Sequence, residues 1–126
     1  DNVLQLRYLS LYTNRISDDG AIALANSKSL KNLETLDLSF NRIGDLGAEA
    51  LAKSTCLKNL KALHLDANRI GFKGMQALAE LSGLQNLETL NITYNLVHPQ
   101  GLALLDNSER LQNLGKVKTD VLKAED

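Results

Sequence analysis

The stretch Leu33-Glu34-Thr35-Leu36-Asp37-Leu38-Ser39-Phe40-Asn41-Arg42-Ile43 decides the fold. Leucines stand at its first, fourth and sixth positions, an asparagine at the ninth and an isoleucine at the eleventh. A copy begins 27 residues earlier, from Leu6 to Ile16. Two more follow at the same interval, from Leu60 to Ile70 and from Leu87 to Val97, and a decayed fifth begins at Leu114. The register does not slip. Leu6/Leu33/Leu60/Leu87/Leu114, Leu9/Leu36/Leu63/Leu90/Val117, Leu11/Leu38/Leu65/Ile92 and Ile16/Ile43/Ile70/Val97 form columns of constant spacing.

Within each copy, Leu-x-Leu is the period of two expected of a strand with one buried face. Every strand is followed by a return segment, so equivalent strands must lie side by side and parallel. The return reads as a helix. Ser17, Gly44, Gly71 and His98 take the position before it, and Pro99 falls at the first helical residue, where its missing N–H costs nothing. Asp18, Asp19 and Asp45 lie in the first turn and complement the dipole of their own helix. Gly20/Gly47/Gly74/Gly101 and Leu24/Leu51/Leu78/Leu105 are one helical turn apart and share a face; the glycines are expected to let helix and strand backbones approach. The residues from Asn26 to Lys31, and their equivalents, turn the chain back.

The expected architecture is a right-handed β/α solenoid, an arc with a parallel sheet on the concave face and helices on the convex face. Residues 1–126 form one domain. Residues 1–5, including Val3, are the tail of a partial repeat; four repeats span 6–32, 33–59, 60–86 and 87–113; and 114–126 is a degenerate C-terminal cap. In that cap Thr119 replaces a strand leucine, Leu122 takes the asparagine position and the chain ends Lys123-Ala124-Glu125-Asp126. Fewer apolar residues and more charge suit the end of a solenoid.

The eleven-residue core resembles that of leucine-rich repeat proteins. The 27-residue spacing with a helix in each unit resembles their ribonuclease-inhibitor-like class. Gly20-Ala21-Ile22-Ala23-Leu24-Ala25 and Gly47-Ala48-Glu49-Ala50-Leu51-Ala52 look like the GALA-type repeats of bacterial proteins. The pattern is looser at Gly74 to Ala79 and lost from Gly101 to Asp106. The resemblance implies binding of another protein on the concave sheet, as an inhibitor covering an enzyme's active site or as a bacterial effector.

Fourteen basic residues against fifteen acidic ones give a net charge of −1, which makes no electrostatic case for nucleic acid or a membrane surface. No apolar run approaches the length of a transmembrane helix. Cys56 is the sole cysteine, so no internal disulfide can form, and a reducing compartment is favoured: the cytoplasm, or a host cell's cytosol for a pathogen protein.

Asn14, Asn41, Asn68 and Asn95, at the bend after each strand, are read as a structural ladder bonding backbone groups of their own and the adjacent repeat. Asn32, Asn59, Asn86 and Asn113 are turn residues. The positions free to vary lie between the strand leucines, on the open face or its rim. They supply the candidate partner-binding residues Tyr8, Ser10, Tyr12, Asp37, Ser39, Phe40, His64, Asp66, Asn91, Thr93, Tyr94 and Lys118. Four of the five aromatics of the chain are among them. A packing role would have put these rings in the leucine columns, whereas exposed aromatics on one surface are what binding hot spots use.

Ser10, Asp37 and His64 fall in one lateral row. The order is wrong for a catalytic triad, in which the imidazole stands between nucleophile and carboxylate. His64, flanked by Asp37 and Asp66, is instead a candidate electrostatic contact with pH-dependent affinity. The same three side chains, with no second histidine, make a poor metal site. No catalytic residues, metal or cofactor are expected. The expected partner is another protein, which could be an enzyme, and the chain itself is expected to be a monomer. The competing reading is a structural spacer within a longer leucine-rich repeat protein.

Overall fold

The computed structural model describes residues 5–96 and 98–120. Five short strands, β1 (Tyr8–Ser10), β2 (Thr35–Asp37), β3 (Ala62–His64), β4 (Thr89–Asn91) and β5 (Lys116–Lys118), form one parallel sheet in chain order. Each pairs with the next in a register of 27 residues: Leu9 opposite Leu36, Leu36 opposite Leu63, Leu63 opposite Leu90, and Leu90 opposite Val117. Between the strands run α1 (Asp18–Ala25), α2 (Asp45–Ala52), α3 (Phe72–Glu80) and α4 (Pro99–Asp106), each packed on its neighbour, and a short α5 (Glu109–Gln112) precedes β5. The result is the two-layer α/β solenoid that the columns predict.

The core lies between the layers. Leu33, Leu36, Leu38 and Ile43 of the second repeat and Leu60, Leu63, Leu65 and Ile70 of the third are wholly buried. Their counterparts Leu6, Leu9, Leu11 and Ile16 are only partly buried, because β1 has no described strand beyond it. The decayed fifth unit still supplies a strand, its Lys118 in register with Asn91. Val3, Val97, Val121, Leu122 and the tail from Lys123 to Asp126 lie outside the described residues.

Asp18, Asp19 and Asp45 lie in the first turns of α1 and α2 as expected. Asp18 and Asp45 do more than complement their own helices. Asp18 Oδ1 accepts the backbone N–H groups of Gly44 (2.7 Å) and Gly47 (2.9 Å), and Asp45 Oδ1 those of Gly71 (2.7 Å) and Gly74 (3.0 Å). Each aspartate thus caps the helix of the following repeat, and none of the residues preceding α1 to α4 caps its own helix through its side chain. The free N–H groups of a helix start take a carboxylate well, and here it comes from next door. Gly47 and Gly74 also make room for that contact, while at Gly20, Gly47 and Gly74 the space is taken first by the isoleucine that follows the strand, Ile16, Ile43 or Ile70. A Cβ on Gly47 would stand 2.7 Å from Ile43 Cγ2, 2.8 Å from Asp18 Oδ1 and 2.9 Å from Ala21 Cβ; one on Gly74 would stand 2.8 Å from Asp45 Oδ1. In the third repeat Phe72 takes the aspartate's place and its ring packs on His98 at a centroid distance of 5.3 Å, acting as a local staple.

Candidate functional site

What the open face can present is set by how each strand ends. Two residues beyond the buried Leu38 the backbone turns left-handed at Phe40 (φ 58°), and it does so at Thr13 (58°), Ala67 (55°) and Tyr94 (58°) as well. Neighbouring repeats hold this bend: Thr13 N–H donates to Ser39 O (3.0 Å), Phe40 N–H to Asp66 O (3.0 Å) and Ala67 N–H to Thr93 O (2.8 Å). Beneath it, Asn41 Oδ1 accepts from Asn14 N (2.9 Å) and Ile16 N (2.8 Å), while Asn41 Nδ2 donates to Leu11, Leu38 and Ser39 carbonyls. Asn68 and Asn95 donate to the equivalent carbonyls one and two units on, and their Oδ1 atoms accept from Ile43 N and Ile70 N (3.0 Å each). Each buried amide thus ties its own bend to the preceding repeat, satisfying groups that the turn leaves free. Asn14, at the first rung, is exposed, and its side chain donates to Tyr12 O (3.0 Å) within its own bend.

On this frame Tyr8 (60% exposed) and Tyr12 (59%) stand on the first repeat, Phe40 (60%) on the second and Tyr94 (75%) on the fourth. No ring contact joins the four among the described residues. Phe40 and Tyr94 stand two strand spacings apart along the rim, about 10 Å, with the small Ala67 between them. Ser10, Asp37, His64 and Asn91 form one lateral row of half-buried side chains, and Lys118 ends it exposed.

The adjacent column is less open than its place in the sequence indicates. Ser39 is buried, and its hydroxyl lies 2.6 Å from both Asp37 Oδ1 and Asp66 Oδ1, with one proton to donate between two carboxylates. Asp37 Oδ1 also accepts the Ser39 N–H at 3.0 Å. Asn91 Oδ1 likewise accepts from Thr93 Oγ1 (2.8 Å) and Thr93 N (3.1 Å). Ser39 and Thr93 therefore set the orientation of Asp37, Asp66 and Asn91 more than they offer free groups themselves.

Ser10, Asp37 and His64 do lie on successive strands with Asp37 in the middle, but no hydrogen bond joins Asp37 to either neighbour among the described residues. Nor do Asp37, His64 and Asp66 converge: no group of three or more His, Cys, Asp or Glu side chains able to hold a metal occurs among the described residues. Cys56 sits half-buried at the turn edge, in a recess of about 310 Å³ that it shares with Lys28, Lys31 and Lys58.

Three features escaped the reading of the open positions. Asp120 accepts the backbone N–H groups of Tyr94 (2.9 Å) and Asn95 (3.4 Å), closing the last described bend. The aspartate caps join residues 26 and 29 positions apart, which no local motif reveals. Arg15, Arg42 and Arg69 form a further column, all exposed, directly after the ladder asparagines; the same 27-residue step that gave the leucine columns would have found it.

A family model described as Leucine Rich repeat matches residues 6–25, 29–52 and 56–79, more than half of the chain. A comparison with curated proteins returns no match. Among solved structures, the chain is similar to "Leiomodin-1 Actin-Binding Site 2 (ABS2)" with a TM-score of 0.75 at 17% identity, over 90% of this chain and 70% of that one. At that identity the likeness shows a shared fold. No helix among the described residues is long and apolar enough to cross a membrane.

Proposed function

We propose that this chain, which belongs to the leucine-rich repeat family, is a non-catalytic interaction module that binds a partner protein through its concave sheet face and the rim beside it. The observation that carries this is the set of four aromatics, Tyr8, Tyr12, Phe40 and Tyr94, all more than half exposed while the leucine columns behind them are filled. Large rings left in water on one surface are a liability for a scaffold and an asset for an interface. Five strands span only about 20 Å centre to centre, whereas a standard interface hides about 800 Å² on each partner. The strand row alone is marginal for that, so the rim at Phe40 and Tyr94 belongs to the contact. A convex partner surface fits this shape best, such as one lip of an enzyme's cleft.

On this reading the chain acts as an inhibitor or an effector. The 27-residue period and the helix of eight or nine residues in each of the first four units support placing it in the ribonuclease-inhibitor-like class, and the Gly-Ala runs from Gly20 and Gly47 support GALA-type repeats. The lone cysteine supports a reducing compartment, the cytoplasm or a host cytosol.

The test is capture of partners from a lysate of the native source or its host, by the chain and by a Tyr12→Ala/Phe40→Ala/Tyr94→Ala variant. Actin, the partner named for the leiomodin segment, serves as a control bait. A folded variant that loses its partner supports the proposal, and equal capture by both forms removes it. The second reading, a spacer between other repeats, is favoured by the half-buried edge at Leu6, Leu9 and Leu11, which a neighbouring repeat would cover. No partner for either form would select it.

A further inference from the structure

The edge of the solenoid beside the aromatic rim carries the arginine column. Backbone bonds hold three of its positions in step across the repeats: Arg42 N–H donates to Ile16 O (2.7 Å), Arg69 N–H to Ile43 O (2.8 Å) and Leu96 N–H to Ile70 O (3.0 Å), while Arg15, at the first rung, has a left-handed backbone (φ 59°). The three side chains are exposed, and among the described residues none of them makes an ion pair or a side-chain hydrogen bond. The Asp18 and Asp45 carboxylates are engaged with backbone N–H groups of the next helix and form no ion pair with these arginines. Three like charges one strand spacing apart repel one another. The fold itself uses only their backbone, so it gives no reason for the guanidinium groups. At the fourth rung the column changes character, because Leu96 stands there 57% exposed beside Tyr94.

We propose that Arg15, Arg42 and Arg69 form a basic row that receives the acidic stripe of an α-helix on the partner protein, with Leu96 taking an apolar residue at the end of that stripe. The inference rests on the protein-binding reading and names the chemistry of the surface that would sit on the rim. The spacing selects a helix. Repeats advance by about 4.8 Å, and a helix presents one residue per turn on a given face at about 5–6 Å between Cβ atoms. An extended chain presents same-side residues at about 6.7 Å, which falls out of step with the arginines by the third rung. The sequence of rungs then specifies the partner: carboxylates at i, i+4 and i+7, and an apolar side chain at i+11. Guanidinium suits the task because its planar fork can take a carboxylate in two parallel hydrogen bonds. A nucleic acid is disfavoured by the net charge of −1, which provides no long-range pull on a polyanion.

The test is an NMR titration of the whole chain with a short stapled helical peptide bearing Glu at i, i+4 and i+7 and Leu at i+11, following the arginine side-chain N–H resonances. The expected result is shifts at Arg15, Arg42, Arg69 and the Leu96 methyls, weakened by added salt and absent with the Glu→Gln peptide. An exposed charge pair contributes at most about fivefold to affinity, so Arg15→Gln/Arg42→Gln/Arg69→Gln should weaken binding by about tenfold to a hundredfold with an unchanged melting curve. Arg42→Lys, which keeps the charge and loses the fork, should fall between. The Tyr12→Ala/Phe40→Ala/Tyr94→Ala variant should still bind the peptide, which separates failure of this inference from failure of the aromatic face. No binding, equal binding of the Gln peptide or the Gln variant, or tighter binding of a short DNA duplex at the same arginines overturns the proposal.

Discussion

Replacing Phe40 and Tyr94 by glycine separates a binding role from a shielding one, because the backbone and the exposure of these residues pull in opposite directions. Both sit at φ 58°, where a side chain with a Cβ costs about 1–2 kcal/mol and glycine none. Against that relief stands the surface each ring covers. Phe40 is 60% exposed, so about two-fifths of a residue of about 200 Å² is covered, worth at most about 2 kcal/mol at about 25 cal/mol per Å². Tyr94 is 75% exposed, and the same conversion gives about 1 kcal/mol. Glycine also loosens the unfolded chain, which costs about 0.5–1 kcal/mol. The terms largely offset one another: Phe40→Gly should lose no more than about 2 kcal/mol, and Tyr94→Gly should change stability by no more than about 1 kcal/mol. A buried leucine such as Leu65 should lose about 2–5 kcal/mol on truncation to alanine in the same urea titration. Binding of the captured partner, measured alongside, should fall by about tenfold or more for each glycine variant if the rings are anchors. A loss of stability above about 2.5 kcal/mol at either site, with binding unchanged, would show that the rings pack the scaffold and would refute the reasoning.

Three other perturbations follow from the geometry. Asn68→Ala removes the acceptor of Ile43 N–H and the donor to three carbonyls in a buried bend, and should cost about 3 kcal/mol or more, whereas Asn14→Ala, at the exposed first rung, should cost less than about 0.5 kcal/mol; denaturant midpoints compare them directly. Asp45→Ala uncaps α3 at Gly71 and Gly74 and should lose about 1–2 kcal/mol, while Asp45→Asn, which keeps the acceptor, should lose less; equal losses would mean that the charge alone matters. Ser39→Ala takes away the hydroxyl between Asp37 and Asp66, and a loss of about 1–2 kcal/mol that shrinks as salt is raised is expected from thermal melts at low and high ionic strength.

The scaffold was legible because its rule is written once per 27 residues. A column of Leu36, Leu63 and Leu90 states strand, face and register together, and the sheet follows it. What stayed hidden depends on neighbours brought together only by stacking. Asp18 reads locally as a residue of its own helix start, and only adjacency of the repeats turns its carboxylate to Gly44 and Gly47. The left-handed bends were hidden for another reason: Thr13, Phe40, Ala67 and Tyr94 include neither the glycine nor the asparagine that announces such a conformation. Ser39 looked open from strand alternation alone, yet it is buried, because the two flanking carboxylates close over its hydroxyl. The arginine column Arg15, Arg42 and Arg69 follows the same 27-residue step as the leucines and is legible in the sequence alone.

Hydrogen exchange of the chain alone and in complex with its captured partner tests the central claim most directly. The account predicts slowed exchange along β1 to β5 and at the bends carrying Phe40 and Tyr94, with α1 to α4 unchanged. Protection confined to the helices, with the strand face exchanging as in the free chain, would contradict it.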